Sequence, residues 1–338
     1  MENARSDAVW AELLNDYFFN KLLRDATEWS YEKVVSGFRK FIGKQTLPEA
    51  VVRQDVLRWR RQVIKEQGLS GHTWNNKVTH MRALFNFAIK HHRYGGEENP
   101  FNGVSIRTAK KRKRPLSEEQ ILRVYLIMQQ FEEEELLGQK RSVRGGNSQC
   151  ALYPAWYWRT VLDTLRFTGM RHNQLMHIRL KDVCLKTRCI ELQQEGSKTH
   201  REWAVSIVSQ LQSELARLID EMGACGAKPG DPLFDIERLL SRGQGYETRA
   251  EGPARQPLRS FFRRLSKECG FEVTPHRFRH TLATRLMEAP DRNLSLVKGL
   301  LGHRNVATTL EYITLSMDIA SKTLERELEI YTDSQRSL

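Results

Sequence analysis

Three short segments and one turn carry residue types that together could perform phosphoryl transfer. Thr168-Gly169-Met170-Arg171-His172-Asn173-Gln174-Leu175 sets an arginine just behind a helix-ending glycine. Pro275-His276-Arg277-Phe278-Arg279-His280 spaces His276 and Arg279 three apart, on one face of a starting helix. Leu301-Gly302-His303-Arg304-Asn305-Val306-Ala307-Thr308-Thr309-Leu310-Glu311-Tyr312 places a tyrosine nine residues after a histidine. Gly196-Ser197-Lys198-Thr199 puts a lysine in a turn between two strand-like runs. The chain has no Gly-x-x-x-x-Gly-Lys-Ser/Thr loop, no His-Glu-x-x-His and no tight carboxylate cluster. Phosphoryl chemistry here would therefore rest on side-chain cations and a covalent intermediate.

Each piece alone has a plainer reading. A Gly-x-Arg is ordinarily a helix C-cap followed by a surface cation, and a single histidine is more often a satisfied interior group. Tyr312 alone would be half-buried packing. Lys198 alone would be an exposed turn lysine, with Lys186 as the other lysine of the region.

The elements that must position these residues come next. Trp10 to Leu23 repeats apolar residues at Trp10, Leu13, Leu14, Tyr17, Phe18 and Leu22, which is the spacing of a helical face. Tyr31–Ile42 and Glu49–Ile64 follow the same pattern. A fourth helix, capped at Thr73 and running to about His91, would bury Val78, Met81, Phe85 and Ala88 and turn Asn75, Asn76, Thr79, Arg82 and Asn86 outward. Pro100-Phe101-Asn102-Gly103 closes this four-helix region. Arg107 to Pro115 is basic at six of nine positions and aperiodic, so it reads as an extended linker that touches DNA; the plainer reading is a solvated or localisation-type charge run.

Ser117-Glu118-Glu119-Gln120 has the form of a capping box opening the next helix. Residues 132–149 and 241–255 read as insertions. Helices are expected over Trp156–Arg166, Ser209–Glu221, Pro257–Cys269, Arg277–Glu288, Leu294–Leu301 and Val306–Tyr312. Short strands are expected at Cys189–Leu192 and Trp203–Ile207.

Composition agrees with a polyanionic partner. The net charge is +13, and residues 1–115 hold 22 Lys and Arg against 12 Asp and Glu, whereas the rest hold 32 against 29. Cations that neutralise phosphates release counterions, so such a basic first third suggests a polyanionic partner, and charge alone leaves DNA, RNA and acidic membrane surfaces open. No apolar run nears the roughly 18–20 residues needed to cross a bilayer. The first residues lack a signal peptide's basic start and apolar core. Five scattered cysteines suit free thiols in a reducing compartment, and Cys184 with Cys189 lacks a second ligand pair for zinc.

In their order and spacing the four segments resemble the catalytic domain of the tyrosine recombinases, the phage-integrase family, over residues 117–326. The N-terminal helices, above all Thr73–Ile89, resemble that family's core-binding domain. The resemblance implies a mainly α fold: a helical core-binding domain over residues 1–103, a basic linker over 104–116, and a mostly helical α/β catalytic domain with a small antiparallel sheet over 117–338. With little chain ahead of Trp10, it implies the two-domain type without an arm-binding domain.

Carried over residue by residue, Arg171 and Arg279 would grip the scissile phosphate, His276 would handle the tyrosine proton, and His303 would bond a phosphate oxygen. Lys198 would protonate the departing 5′ oxygen, and Tyr312 would attack phosphorus to give a 3′-phosphotyrosine. Asn76, Lys77, Arg82, Lys110, Lys111, Arg112, Lys113 and Arg114 are the expected DNA contacts. The resemblance further implies duplex recombination sites, a homotetramer on DNA, room for accessory DNA-binding proteins, no cofactor or metal, no membrane, and a bacterial cytoplasmic or nucleoid location. The tail Ser316–Tyr331 could pack on a neighbouring protomer or on its own domain. A type IB topoisomerase and an inert DNA-binding regulator are the competing readings. Gln174 departs from the family pattern, which usually has glutamate three residues after the arginine.

Overall fold

A computed structural model describes residues 2–96, 98–109, 115–139, 150–193, 203–246, 255–288, 294–302 and 305–310. The chain divides into two compact units, Met1–Lys111 and Arg112–Leu338.

The first unit is built from α1 (Glu2–Lys21), α2 (Asp25–Ile42), α3 (Arg53–Arg61) and α4 (Gly71–Lys90), with a π turn at Gln62–Glu66 extending α3. Its core is aromatic. Trp10 and Tyr17 of α1, Phe38 of α2, Trp59 of α3, and Trp74 and Phe85 of α4 are all buried, and Trp59 packs edge-on against Trp74 at 5.3 Å. Burying such rings stabilises by roughly 1.5–3 kcal/mol each.

Val78, Met81, Phe85 and Ala88 of α4 are fully buried, as their spacing requires. The cap, however, is Ser70, whose hydroxyl accepts from the Thr73 amide. Helix α1 starts well before Trp10 because Ser6 Oγ and Trp10 Nε1 both donate to the Thr46 carbonyl, pinning its first turns. Leu22, expected on the buried face, lies beyond the end of α1 with a left-handed backbone and is exposed.

In the second unit, α5 (Glu118–Leu136) opens on the expected capping box: Ser117 Oγ accepts from the Gln120 amide, and Gln120 Oε1 accepts from the Ser117 amide. The helix carries on through Glu132–Leu136, where an insertion was expected. The acidic side chains there have structural partners: Glu132 pairs with Arg159, and Glu135 accepts from the Ala155 amide at the start of the next helix. That next helix, α6 (Ala155–Thr168), is the central one, and its Trp158 stacks on Phe261 at 4.3 Å.

A short α7 (His172–Leu175) leads to a three-stranded antiparallel sheet of β1 (Val183–Cys184), β2 (Cys189–Leu192) and β3 (Trp203–Ser206), in that order. β2 and β3 match the expected strands, whereas β1 is additional. Then come α8 (Ser209–Ala224), α9 (Ile236–Ser241), α10 (Arg255–Cys269), α11 (Pro275–Glu288), α12 (Leu294–Leu301) and α13 (Val306–Leu310). Ala283, Met287, Val297 and Leu301 form a small core of their own between α11 and α12. Among the described residues no helix is long and apolar enough to cross a membrane.

Candidate active site

Helix α6 must stop where its chain turns toward Arg171, and Gly169 makes the stop. Its φ of 61° is left-handed, and its amide closes on the Leu165 carbonyl at 3.0 Å. A Cβ added there would come within 2.8 Å of Leu282 on α11 and 3.2 Å of Leu301 on α12. Glycine therefore lets three helices converge at this point as well as allowing the turn.

Arg171 follows two residues later, half-buried, in the N-cap position of α7. Its amide donates to Gln174 Oε1 at 2.8 Å, and the Gln174 amide donates back to the Arg171 carbonyl at 2.9 Å. Gln174 is buried. The local turn that presents Arg171 thus closes on a neutral amide side chain.

Arg279 lies on α11 and is 2% exposed. Its Nη1 donates to the Gly169 carbonyl at 2.8 Å and its Nη2 to the Leu301 carbonyl at 2.6 Å. One guanidinium thereby ties the end of α6, two residues before Arg171, to the end of α12, two residues before His303. His276 sits one turn earlier on α11 and is exposed, its ring edge-on to that of His280 at 4.1 Å. Arg277, between them, is structural: its Nη2 donates to the Pro115 carbonyl and to Gln120 Oε1.

Sequence reasoning missed Trp203, the first residue of β3. Gly302 has a φ of 61°, and a Cβ on it would meet the Trp203 indole at 2.6 Å. The Gly302 backbone, just ahead of His303 in the chain, thus runs against a side chain of β3, the strand reached after the segment that carries Lys198. A tryptophan opening a strand beside a candidate turn was the available signal. Lys198, His303 and Tyr312 lie outside the described residues, as do Lys110, Lys111, Arg112, Lys113 and Arg114 of the basic stretch.

The α4 candidates divide. Asn76 is exposed. Lys77 is half-buried, its Nζ 5.5 Å from the centre of the Trp59 ring, and its ammonium is held below its usual range by burial first and by Lys33 second. Arg82 does not point freely outward as expected: its Nε and Nη2 donate to the Phe101 carbonyl and Ser105 Oγ. Asn75 likewise turns inward, its side chain bonding both the amide and the carbonyl of Ile106. These polar groups satisfy the backbone of the segment that leaves the first unit, a demand invisible in helical spacing.

The sequence profile described as "Phage integrase family" matches residues 149–318. A putative tyrosine recombinase XerC of Pseudomonas aeruginosa is 33% identical over 310 residues, covering 91% of this chain and 69% of that protein. The chain belongs to the phage integrase family of tyrosine recombinases.

A second XerC relative, from Pseudomonas syringae, is 32% identical across 91% of this integrase-family chain, which spans 62% of that protein's length. The fold agrees with that of solved integrases. The Tn1549 transposon integrase in complex with transposon right end DNA superposes with a TM-score of 0.65 at 20% identity, covering 93% of this chain and 98% of that one. A lambda integrase dimer bound to a COC′ core site gives 0.62 at 16% identity, covering 89% and 94%. Within this recombinase, the segments carrying Arg171, Arg279 and the approach to His303 meet at a single guanidinium.

Proposed function

We propose that this chain is a site-specific recombinase that cleaves and rejoins duplex DNA through a 3′-phosphotyrosine on Tyr312. The observation that carries the reading is the pair of hydrogen bonds that Arg279 donates to the Gly169 and Leu301 carbonyls, which draws the three motif segments together. In this reading Arg171 and Arg279 hold the non-bridging oxygens of the scissile phosphate. Their charges offset the extra negative charge of the pentacoordinate transition state. His276, exposed at the start of α11, exchanges the tyrosine proton, and His303 bonds a phosphate oxygen. Lys198 protonates the 5′ leaving oxygen. The ester stores the cleaved bond's energy, so rejoining requires no nucleotide.

In this reading the basic linker 104–116 joins a DNA-binding unit to a catalytic unit, and the exposed Asn76 and half-buried Lys77 of α4 meet the DNA. Four protomers would pair two sites and exchange strands in the cytoplasm, with accessory DNA-binding proteins where the site demands them.

The test uses a nicked suicide duplex carrying the recombination site. Wild-type protein should give an SDS-resistant protein–DNA adduct, whereas Tyr312→Phe should bind with unchanged affinity and give none. An adduct of full yield in the variant would remove Tyr312 as nucleophile. Binding with no adduct from the wild type would favour a regulator, and relaxation of plasmid lacking any defined site would favour a topoisomerase.

A further inference from the structure

The β1–β2 hairpin holds a feature that the recombination chemistry does not use. Cys184 ends β1 and Cys189 begins β2, and the two are direct cross-strand partners. Both are free thiols; Cys184 is exposed and Cys189 half-buried. The other cysteines, Cys150, Cys225 and Cys269, are buried in the second unit's core. Oxidants arriving from solvent therefore meet this pair first.

Three details of the hairpin prepare it for oxidation. Thr187 Oγ1 lies 3.2 Å from Cys189 Sγ. The same Thr187, by side-chain and then backbone hydrogen bonds, holds the Cys184 thiol below its usual range, with Lys186 adding a backbone bond and its charge. A thiol so placed supplies more thiolate, the reactive form. The partners are also near enough to join. Directly opposed residues have Cβ atoms about 4.5–5.5 Å apart, and a disulfide needs about 3.5–4.5 Å. β1 is a two-residue edge strand, bonded on one side only, so it can make that small approach.

We propose that Cys184 and Cys189 form a dithiol modification site that peroxide-class oxidants close to an intrachain disulfide. The Cys184 thiolate attacks one peroxide oxygen, breaking the O–O bond and releasing hydroxide, which takes up a proton to become water. Cys184 is left as a sulfenic acid. The Cys189 sulfur then attacks the Cys184 sulfur, the S–S bond forms, and the hydroxyl leaves as water with the Cys189 proton. Each sulfur gives up one electron, and the peroxide takes both. The closed link fastens β1 to β2, the middle strand of the sheet.

The test treats the full-length native protein with hydrogen peroxide and then blocks, denatures and digests it with trypsin. Cleavage after Lys181, Lys186, Arg188 and Lys198 separates the two cysteines into fragments 182–186 and 189–198. These fragments should be recovered joined, free thiols should fall from five to three, and dithiothreitol should restore both. In Cys189→Ser, the Cys184 fragment should instead carry a sulfenic acid that dimedone traps. Recovery of the two fragments unlinked, a Cys184 link to a second chain, or sulfinic acid at Cys184 in the wild type would overturn the proposal.

Discussion

Arg279 Nη1 donates to the carbonyl oxygen of Gly169 at 2.8 Å, joining residues 110 apart in the chain. Through its other Nη it reaches Leu301. A residue with the charge to stabilise a phosphorane also closes the backbone around the site, so its chemical and structural contributions should fall together. Arg279→Ala would leave two carbonyls without their donor. It should lose about 1–3 kcal/mol of stability, the usual cost of an unsatisfied buried group, and roughly 10²-fold or more in cleavage. Arg279→Lys keeps the charge on a single point that cannot fork to both carbonyls, and should restore DNA affinity but not the cleavage rate. Urea unfolding and single-turnover cleavage measure the two effects. Full activity in the lysine variant would mean that the fork is unnecessary.

Gln174 supports Arg171 through one acceptor, the side-chain oxygen that receives the Arg171 amide. Gln174→Glu keeps an acceptor there and should cleave within a few-fold of wild type. Gln174→Ala removes it and should destabilise by about 1 kcal/mol and slow cleavage further than the glutamate change does. Equal rates in the two variants would show that the amide oxygen does not govern Arg171.

Most of this architecture could be read from spacing. The α4 positions Val78, Met81, Phe85 and Ala88 recur at helical intervals and are all buried. The capping box at Ser117 carries its own chemistry and forms as written. What escaped were elements too short to show a period: β1 with two residues and α9 with six. The acidic end of α5 also escaped, because its partners Arg159 and the Ala155 amide lie about twenty residues or more along the chain. At the site, the residue types of Arg171, His276 and Arg279 were legible. The carbonyls that fix Arg279 were not, since a backbone acceptor has no letter in a sequence. For the same reason nothing marked Arg82 and Asn75 as holding backbone rather than facing outward.

Neutralising Lys110, Lys111, Arg112, Lys113 and Arg114 together should weaken binding to specific and random duplex about equally, because phosphate contacts position without reading sequence. The slope of log K against log salt should flatten by about 0.9 for every phosphate that is no longer neutralised. Titrations at several salt concentrations give the slope, and an unchanged value would mean the stretch stays solvated.

Lys198→Ala should slow cleavage of an ordinary phosphodiester by roughly 10²–10⁴-fold, the worth of positioned acid catalysis. A 5′-bridging sulfur at the scissile phosphate makes a leaving group that needs no proton. On that substrate Lys198→Ala should approach the wild-type rate, while Arg171→Ala and Arg279→Ala stay impaired because their charge is still required. Equal rescue of all three variants, or no rescue of Lys198→Ala, would take the lysine out of the acid role.

Pro115 and Leu116, at the end of the basic stretch, are tied firmly into the second unit. The Leu116 amide donates to Thr281 Oγ1 at 2.8 Å, and the Pro115 carbonyl accepts from Arg277 at 3.1 Å. Both partners belong to α11, the helix that carries His276 and Arg279. Residues 115 and 116 are therefore moored to the helix holding two of the candidate catalytic groups. A pull on residues 115 and 116 would bear on α11 through these two bonds, which makes the mooring a lever on His276 and Arg279.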